Sequence, residues 1–152
     1  VKVLVARPPA LFLKTLRGRF PVTEGGAVPT RKGEVAMYLA GKWYSIDLNS
    51  AKAADNSRAG SLDVARLQRA VLEEFLNVGD VRTLKRIDFV GGARGTKALE
   101  NAVDSGKAAV AFSLHPVTVD DLMAISDAGG IMPPKSTWFE PKLRDGLLIH
   151  VI

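Results

Sequence analysis

The sequence of 152 residues contains no cysteine and only two histidines. It can therefore form no disulfide and no thiolate zinc site, it offers no cysteine nucleophile, and a metal site is not expected. No apolar run approaches the roughly 20 residues that a membrane-spanning helix needs. The apolar start, residues 1–5, is too short to serve as a signal peptide. We therefore expect a cytoplasmic domain with no membrane span.

What the sequence does contain is typical of a globular protein, with 47% hydrophobic and 24% charged residues. A chain of this length can bury roughly 70% of its unfolded surface, which is enough for one core. We therefore expect residues 1–152 to form a single domain. Because residue 1 is a valine and not a methionine, we also expect the chain to be a fragment of a longer protein.

The net charge of +5 comes from 21 lysines and arginines against 16 acidic residues. Such an excess permits nucleic-acid binding through phosphate contacts. However, the basic residues alternate with acidic and apolar ones, and no block of five like charges occurs. A solvated surface is therefore the favoured interpretation, and anionic metabolites are the next candidates.

The hydrophobic pattern predicts an α+β domain with an α/β-like second half. Apolar residues at helical spacing predict about four helices, and two strand-like runs around residues 40–42 predict an antiparallel hairpin. From residue 86 onward strands and helices alternate, which favours βαβ-like units and a mixed sheet with some parallel pairs. Residues 49–60 are predicted to be a long loop. The helices are expected at residues 10–20, 61–77, 96–105 and 118–128, and the strands at residues 35–39, 43–48, 86–90, 108–114 and 146–152.

A glycine-rich turn, residues 91–95, lies between a predicted strand and a predicted helix. Backbone N–H groups at such a turn suit an anion, and the candidate contacts are Gly91, Gly92 and Arg94. The glycine and lysine spacing departs from that of a phosphate loop. A tight turn with Thr96 as the helix cap is therefore favoured over an anion site.

The segment 132–143 combines three prolines, two aromatic residues, two lysines and two hydroxyl side chains. Three prolines exclude a helix or a central strand, and they stiffen the loop. A lysine ammonium beside two hydroxyl groups suits a phosphate or a carboxylate. A stiff crossover whose aromatic rings cover the core is an equal alternative. The candidate ligand contacts in this segment are Lys135, Ser136, Thr137, Trp138 and Lys142.

The remaining titratable candidates are few. His115 follows a predicted strand, and ligand sites of parallel sheets lie at such strand ends. It is a candidate contact, although a structural role is favoured for an isolated histidine. Thr118 and Asp121 have the spacing of a capping box, and Asp120 and Asp121 fall at this predicted helix start, where the helix dipole favours acidic side chains. We do not interpret these two carboxylates as an acid–base pair.

Several motifs of this chain are similar to one protein family. The most specific is Met-Pro-Pro-Lys-Ser-Thr followed by Phe139 and Pro-Lys-Leu, within residues 132–143. Shorter ones are Gly-Lys-Trp-Tyr at 41–44, Ile-Asp-Phe-Val-Gly-Gly at 87–92 and Asp-Ala-Gly-Gly at 127–130. Over residues 10–150 the chain resembles the C-terminal half of the DUF1015 family, a group of bacterial and archaeal proteins of unknown function.

This resemblance implies a partner and a role. Full-length members of the family have an N-terminal half that resembles ParB-like and free-serine-kinase proteins through a Gly-His-His-Arg box, which is absent from this sequence. The resemblance therefore implies an accessory domain that works with that missing half. It implies no cofactor in this chain, with a nucleotide and kinase-like chemistry expected only of the full-length protein.

Three functions remain open on the sequence. The leading hypothesis is an accessory domain, not catalytic alone, that holds a phosphate-bearing small molecule or nucleotide near residues 132–143. The first alternative is a nucleic-acid-binding module of a ParB-related protein, as the net charge permits. The second is a dimerisation domain, in which the exposed edge of the hairpin around Tyr38 and Trp43 would pair two copies. No complete catalytic constellation is found, so enzymatic activity of this chain is left undecided.

Overall fold

The computed structural model describes residues 8–51, 57–79, 85–134 and 136–137. They form a single α+β domain of four helices and one four-stranded sheet. None of the helices in these ranges is long and apolar enough to cross a membrane. The helices are α1 (Pro9–Arg17), α2 (residues 63–76, with a π-helical middle at Gln68–Glu73), α3 (Lys97–Asp104) and α4 (Val119–Asp127). The strands are β1 (Val22–Glu24), β2 (Glu34–Leu39), β3 (Lys42–Asp47) and β4 (Ala111–Leu114).

The predicted hairpin is confirmed. Strands β2 and β3 pair antiparallel from Leu39 opposite Lys42 to Glu34 opposite Asp47. The two turn residues, Ala40 and Gly41, both have positive φ, as a two-residue turn that matches strand twist requires. The four predicted helices are also found, each within a few residues of its expected bounds.

The predicted mixed sheet is wrong within the described residues. The strand order is β1-β3-β2-β4, and every neighbouring pair is antiparallel. The predicted strand at residues 86–90 is a turn followed by irregular chain, so no βαβ unit forms there. An apolar run indicates a strand but not the direction of its partner, and β4 pairs with the hairpin strand β2. The predicted strand at residues 146–152 and part of the predicted loop, residues 52–56, lie outside the described residues.

The core lies between one face of the sheet and the helices α1 and α2. Alternate residues of a strand point to opposite faces, so Val35, Met37 and Leu39 face this core while Ala36 and Tyr38 face α3. On the α3 side, the Tyr38 hydroxyl donates to the Asp104 carboxylate. The fully buried side chains of the core include Phe12, Leu16, Val35, Met37, Leu39, Ile46, Leu48, Val71, Leu76, Val78 and Val110.

Two further features complete the fold, one at the β1 edge of the sheet and one at the start of α4. Strand β1 has no counterpart among the predicted strands, because three residues are too few to show a period. Thr118 begins α4 through the expected capping box, in which its hydroxyl accepts from the Asp121 backbone N–H. The same Asp121 side chain accepts from the Thr118 backbone N–H and hydroxyl. The start of α4 is therefore fixed tightly.

Candidate functional site

A long groove runs beside β4, with α2 on one side and α3 on the other. It has a volume of about 1750 Å³. Its walls include Leu67 and Leu72 from α2 and Leu99 and Ala102 from α3, while β4 forms its floor. These walls are mainly apolar. Charged residues line the groove both near the end of β4 and elsewhere, as at Arg69 on α2 and Lys107 before β4.

The structure places five of the nine predicted contacts around this one groove. Arg94 lies in a short 3-10 turn, Gly92–Arg94, where it is exposed and is not among the lining residues. Three of the predicted contacts, Lys135, Trp138 and Lys142, lie outside the described residues. The five that line the groove are Gly91, Gly92, His115, Ser136 and Thr137.

Two of these five already have a polar partner. The Ser136 hydroxyl donates to the Pro133 carbonyl at 2.6 Å, so it would have to give up that bond to donate to an anion. The His115 ring nitrogen Nδ1 lies 3.1 Å from the Pro116 carbonyl. This contact favours a proton on Nδ1 and leaves Nε2 as the ring atom that can meet a ligand.

The centre of the polar region is Asp121, which the sequence assigned only to the start of a helix. This residue is 1% exposed and is the one buried charged residue among the described residues. Lys32 donates to its Oδ2 at 2.6 Å, and Arg58 reaches its Oδ1 through two nitrogens at 2.7 and 2.9 Å. Both cations remain about half exposed, at 51% and 50%. A buried carboxylate thus orients two cationic side chains at the surface of the groove.

Hydrogen bonds to the Asp121 carboxylate affect its pKa more than its burial does. Burial alone would raise the pKa of Asp121, but hydrogen bonds from Lys32, Thr118 and Arg58 hold that pKa well below its usual range. Asp121 is therefore a permanent anion at neutral pH. It fixes Lys32 from the loop before β2 and Arg58 from the segment before α2.

A second carboxylate, Asp63, lies beside this cluster at the start of α2. The Gly33 backbone N–H donates to it at 2.8 Å. Burial raises the pKa of Asp63, while the Gly33 bond and the nearby charges of Arg66, His115 and Lys32 oppose that rise. These interactions place the lining residues Lys32, His115 and Arg66 near one another, at the end of the groove where β4 ends.

Arg66 adds the third cation to this region. Its NH1 is 3.4 Å from the Leu48 carbonyl, and its buried Nε has no hydrogen-bond partner. A buried guanidinium nitrogen without a partner is energetically unfavourable. Three cationic side chains, Lys32, Arg58 and Arg66, therefore share this end of the groove with two carboxylates. We call Lys32, Arg58, Asp63, Arg66 and Asp121 the charged cluster.

The sequence could reveal only part of the charged cluster. The spacing of Thr118 and Asp121 predicts a capping box, which the structure confirms. Lys32 and Arg58 are 89 and 63 residues away from Asp121 along the chain. No local pattern links positions so distant, and both cations fall in segments without a hydrophobic period.

The chemistry that the charged cluster offers is charge-assisted hydrogen bonding. Charge-assisted hydrogen bonds from lysine and arginine are the strongest that proteins offer to phosphates and carboxylates. Within the described ranges, no group of three or more histidine, aspartate or glutamate side chains is placed to hold a metal ion.

Comparison with known proteins adds no name to this arrangement. No family model, curated protein or solved structure matches the sequence. The resemblance to the DUF1015 family therefore stays a prediction that rests on the motifs quoted above.

Proposed function

We propose that this chain is an anion-binding accessory domain whose ligand places its phosphate or carboxylate group at the charged cluster. The proposal rests on the geometry of Asp121, which is buried and pairs with two half-exposed cations of the groove, Lys32 and Arg58. In this proposal Asp121 is a positioning residue, because it acts on the ligand through Lys32 and Arg58. The wider role, as one half of a longer protein, rests on the DUF1015 resemblance alone.

The positions of the predicted contacts support the same ligand class. His115 lies at the charged end of the groove, and Ser136 and Thr137 line the groove as well. These side chains add further hydrogen-bonding groups to the groove that the charged cluster also lines. A phosphate ester has enough acceptor oxygens to use both kinds of group.

The proposal is tested by titrating inorganic pyrophosphate and phosphoserine into the protein at constant ionic strength, with calorimetric measurement of Kd. Arg58→Gln should weaken binding by about tenfold to 100-fold, which corresponds to the roughly 1.5–3 kcal/mol of a charge-assisted hydrogen bond. Lys42→Gln is the matched control. Lys42 also pairs with a carboxylate, that of Glu24, but neither residue lines the groove, so Kd should not change.

A second variant separates ligand binding from simple structural damage. Asp121→Asn removes the charge that orients Lys32 and Arg58, so it should weaken pyrophosphate binding several-fold at a temperature where the variant is folded. Asp120→Asn is its control, because it removes an exposed carboxylate from the same turn of α4 and should not weaken binding. Absence of binding to both anions, or equal Kd values for the wild type and Arg58→Gln, would contradict the proposal. Affinity for DNA alone, falling steeply with salt, would favour the nucleic-acid alternative.

A further inference from the structure

The outer edge of β4 is a second feature of the groove, and the register of the sheet shows which backbone groups it presents. Leu39 and Lys42 close a two-residue hairpin, so they form a hydrogen-bonded pair. Along β2, bonding then alternates, and Ala36 and Tyr38 direct their backbone groups away from β3. These two residues therefore bond to β4.

The partners of those two residues on β4 are Ser113 and Ala111. By the same alternation, Phe112 and Leu114 direct their backbone N–H and C=O groups to the opposite edge of β4. Both residues line the groove. Among the described residues, neither has a backbone partner on that side. The floor of the groove therefore offers a short open strand edge.

The walls of the groove fit the side chains of an added strand. Side chains of such a strand would alternate between the two faces of the sheet. One set would meet Leu67 and Leu72 on α2, and the other set would meet Leu99 and Ala102 on α3. The groove volume of about 1750 Å³ also exceeds the roughly 300–1,000 Å³ of a small-molecule site. The groove therefore has room for a ligand larger than an ordinary small molecule, such as an extended peptide.

The charged cluster holds three of the five lysines and arginines that line the groove, the others being Arg69 and Lys107, and this uneven distribution gives the peptide a direction. Leu114 lies opposite Val35, so the end of β4 is beside the chain that leads from Lys32 into β2. An antiparallel strand, the sense of every pair in this sheet, would place its N-terminal end there. Acidic side chains at that end would meet the cations of the charged cluster.

We propose that the groove binds an extended peptide segment of a partner protein as an antiparallel strand on β4, with acidic N-terminal side chains at Lys32 and Arg58. This inference rests on the proposed function, because it assigns the anionic group to a carboxylate-bearing peptide. Affinity comes from backbone pairing at the open edge, and specificity comes from the apolar walls and the charged cluster.

The test measures fluorescence anisotropy of a labelled peptide, Asp-Asp-Val-Thr-Val-Thr-Val, with an acetylated N-terminus and an amidated C-terminus. The peptide should bind saturably. A peptide with the two aspartates moved to the C-terminal end should bind at least tenfold more weakly. Two further peptides carry methyl groups on alternate backbone nitrogens, one at the odd-numbered and one at the even-numbered residues. One of them should lose binding and the other should keep it, because only alternate N–H groups face β4.

Protein variants complete the test. Arg58→Gln should weaken peptide binding about tenfold, while Lys42→Gln should leave it unchanged. Equal binding of the two methylated peptides would overturn the inference. Saturable pyrophosphate binding without peptide binding would also overturn it, and would leave the proposed function standing. Peptide binding only after deletion of residues 138–152, or only on dissociation of a dimer seen by light scattering, would assign the edge to another occupant and overturn it.

Discussion

Replacement of Asp121 by asparagine tests the energetics of the charged cluster most sharply. The substitution keeps the shape of the side chain and an oxygen that can accept from Thr118, but it removes the charge that Lys32 and Arg58 contact at 2.6–2.9 Å. Both cations are about half exposed, so water can solvate them after the change. We therefore expect a loss of about 1.5–3 kcal/mol in the free energy of unfolding, below the 3–5 kcal/mol of a fully buried pair.

The stability loss should depend on pH in a defined direction. The pKa of Asp121 is lower in the folded than in the unfolded protein, so its charge stabilises the fold above the unfolded pKa of about 3.9. Below that pH the unfolded chain takes up a proton while the folded protein resists it. The stability difference between wild type and Asp121→Asn should therefore be constant from pH 6 to 8 and should narrow as the pH falls below about 5.

Urea unfolding followed by tryptophan fluorescence measures this difference. For a domain of this size, about 2–4 °C of Tm corresponds to 1 kcal/mol, so a thermal scan should also show a drop of roughly 3–12 °C. Asp120→Asn is the matched control, because Asp120 is exposed in the same first turn of α4. Its effect should stay within about 0.5 kcal/mol. Equal stability of the two variants at pH 7, or a difference that does not narrow in acid, would refute the reasoning.

Three further substitutions test other parts of the fold by the same unfolding assay. Gly33→Ala should lower the free energy of unfolding by at least about 1–3 kcal/mol, because Gly33 has φ +82° and a Cβ there would collide with the Asn49 side chain. Gly41→Ala is the control, because Gly41 has a similar φ but open space around it, and it should lower the free energy of unfolding less. Equal losses for the two variants would refute the steric argument. Leu16→Ala, at a fully buried site of α1, should lower the free energy of unfolding by about 2–5 kcal/mol. A loss under 1 kcal/mol would show that this helix does not pack in the core. Tyr38→Phe removes the hydroxyl that donates to the Asp104 carboxylate on α3, and it should lower the free energy of unfolding by about 0.5–1.5 kcal/mol. An unchanged free energy of unfolding would show that this hydrogen bond does not contribute to stability.

The sequence predicted the parts of the fold that depend on neighbouring residues. Two strand-like runs on either side of Ala40 and Gly41 define the hairpin, since both the runs and the turn are local features of the sequence. The start of α4 was predictable for the same reason, because Thr118 and Asp121 are three residues apart.

The parts that the sequence did not predict depend on distant pairing. The apolar run that contains β4 indicates a strand, but nothing in residues 108–114 specifies that its partner is β2 or that the pair is antiparallel. Likewise, Asp121 has an ordinary position in a helix start. Its role appears only when the fold brings Lys32 and Arg58 onto the same carboxylate.

The most direct test of anion binding at the charged cluster is a nuclear magnetic resonance titration of the ¹⁵N-labelled protein with inorganic pyrophosphate at constant ionic strength. The account predicts saturable chemical-shift changes that concentrate on the backbone amides of Lys32, Gly33, Arg58 and His115, and on the Nε signal of Arg66. The amides of Lys42 and Glu24, which form an ion pair away from the groove, should not move. Saturable changes centred elsewhere, or no saturable change at any amide, would contradict the account.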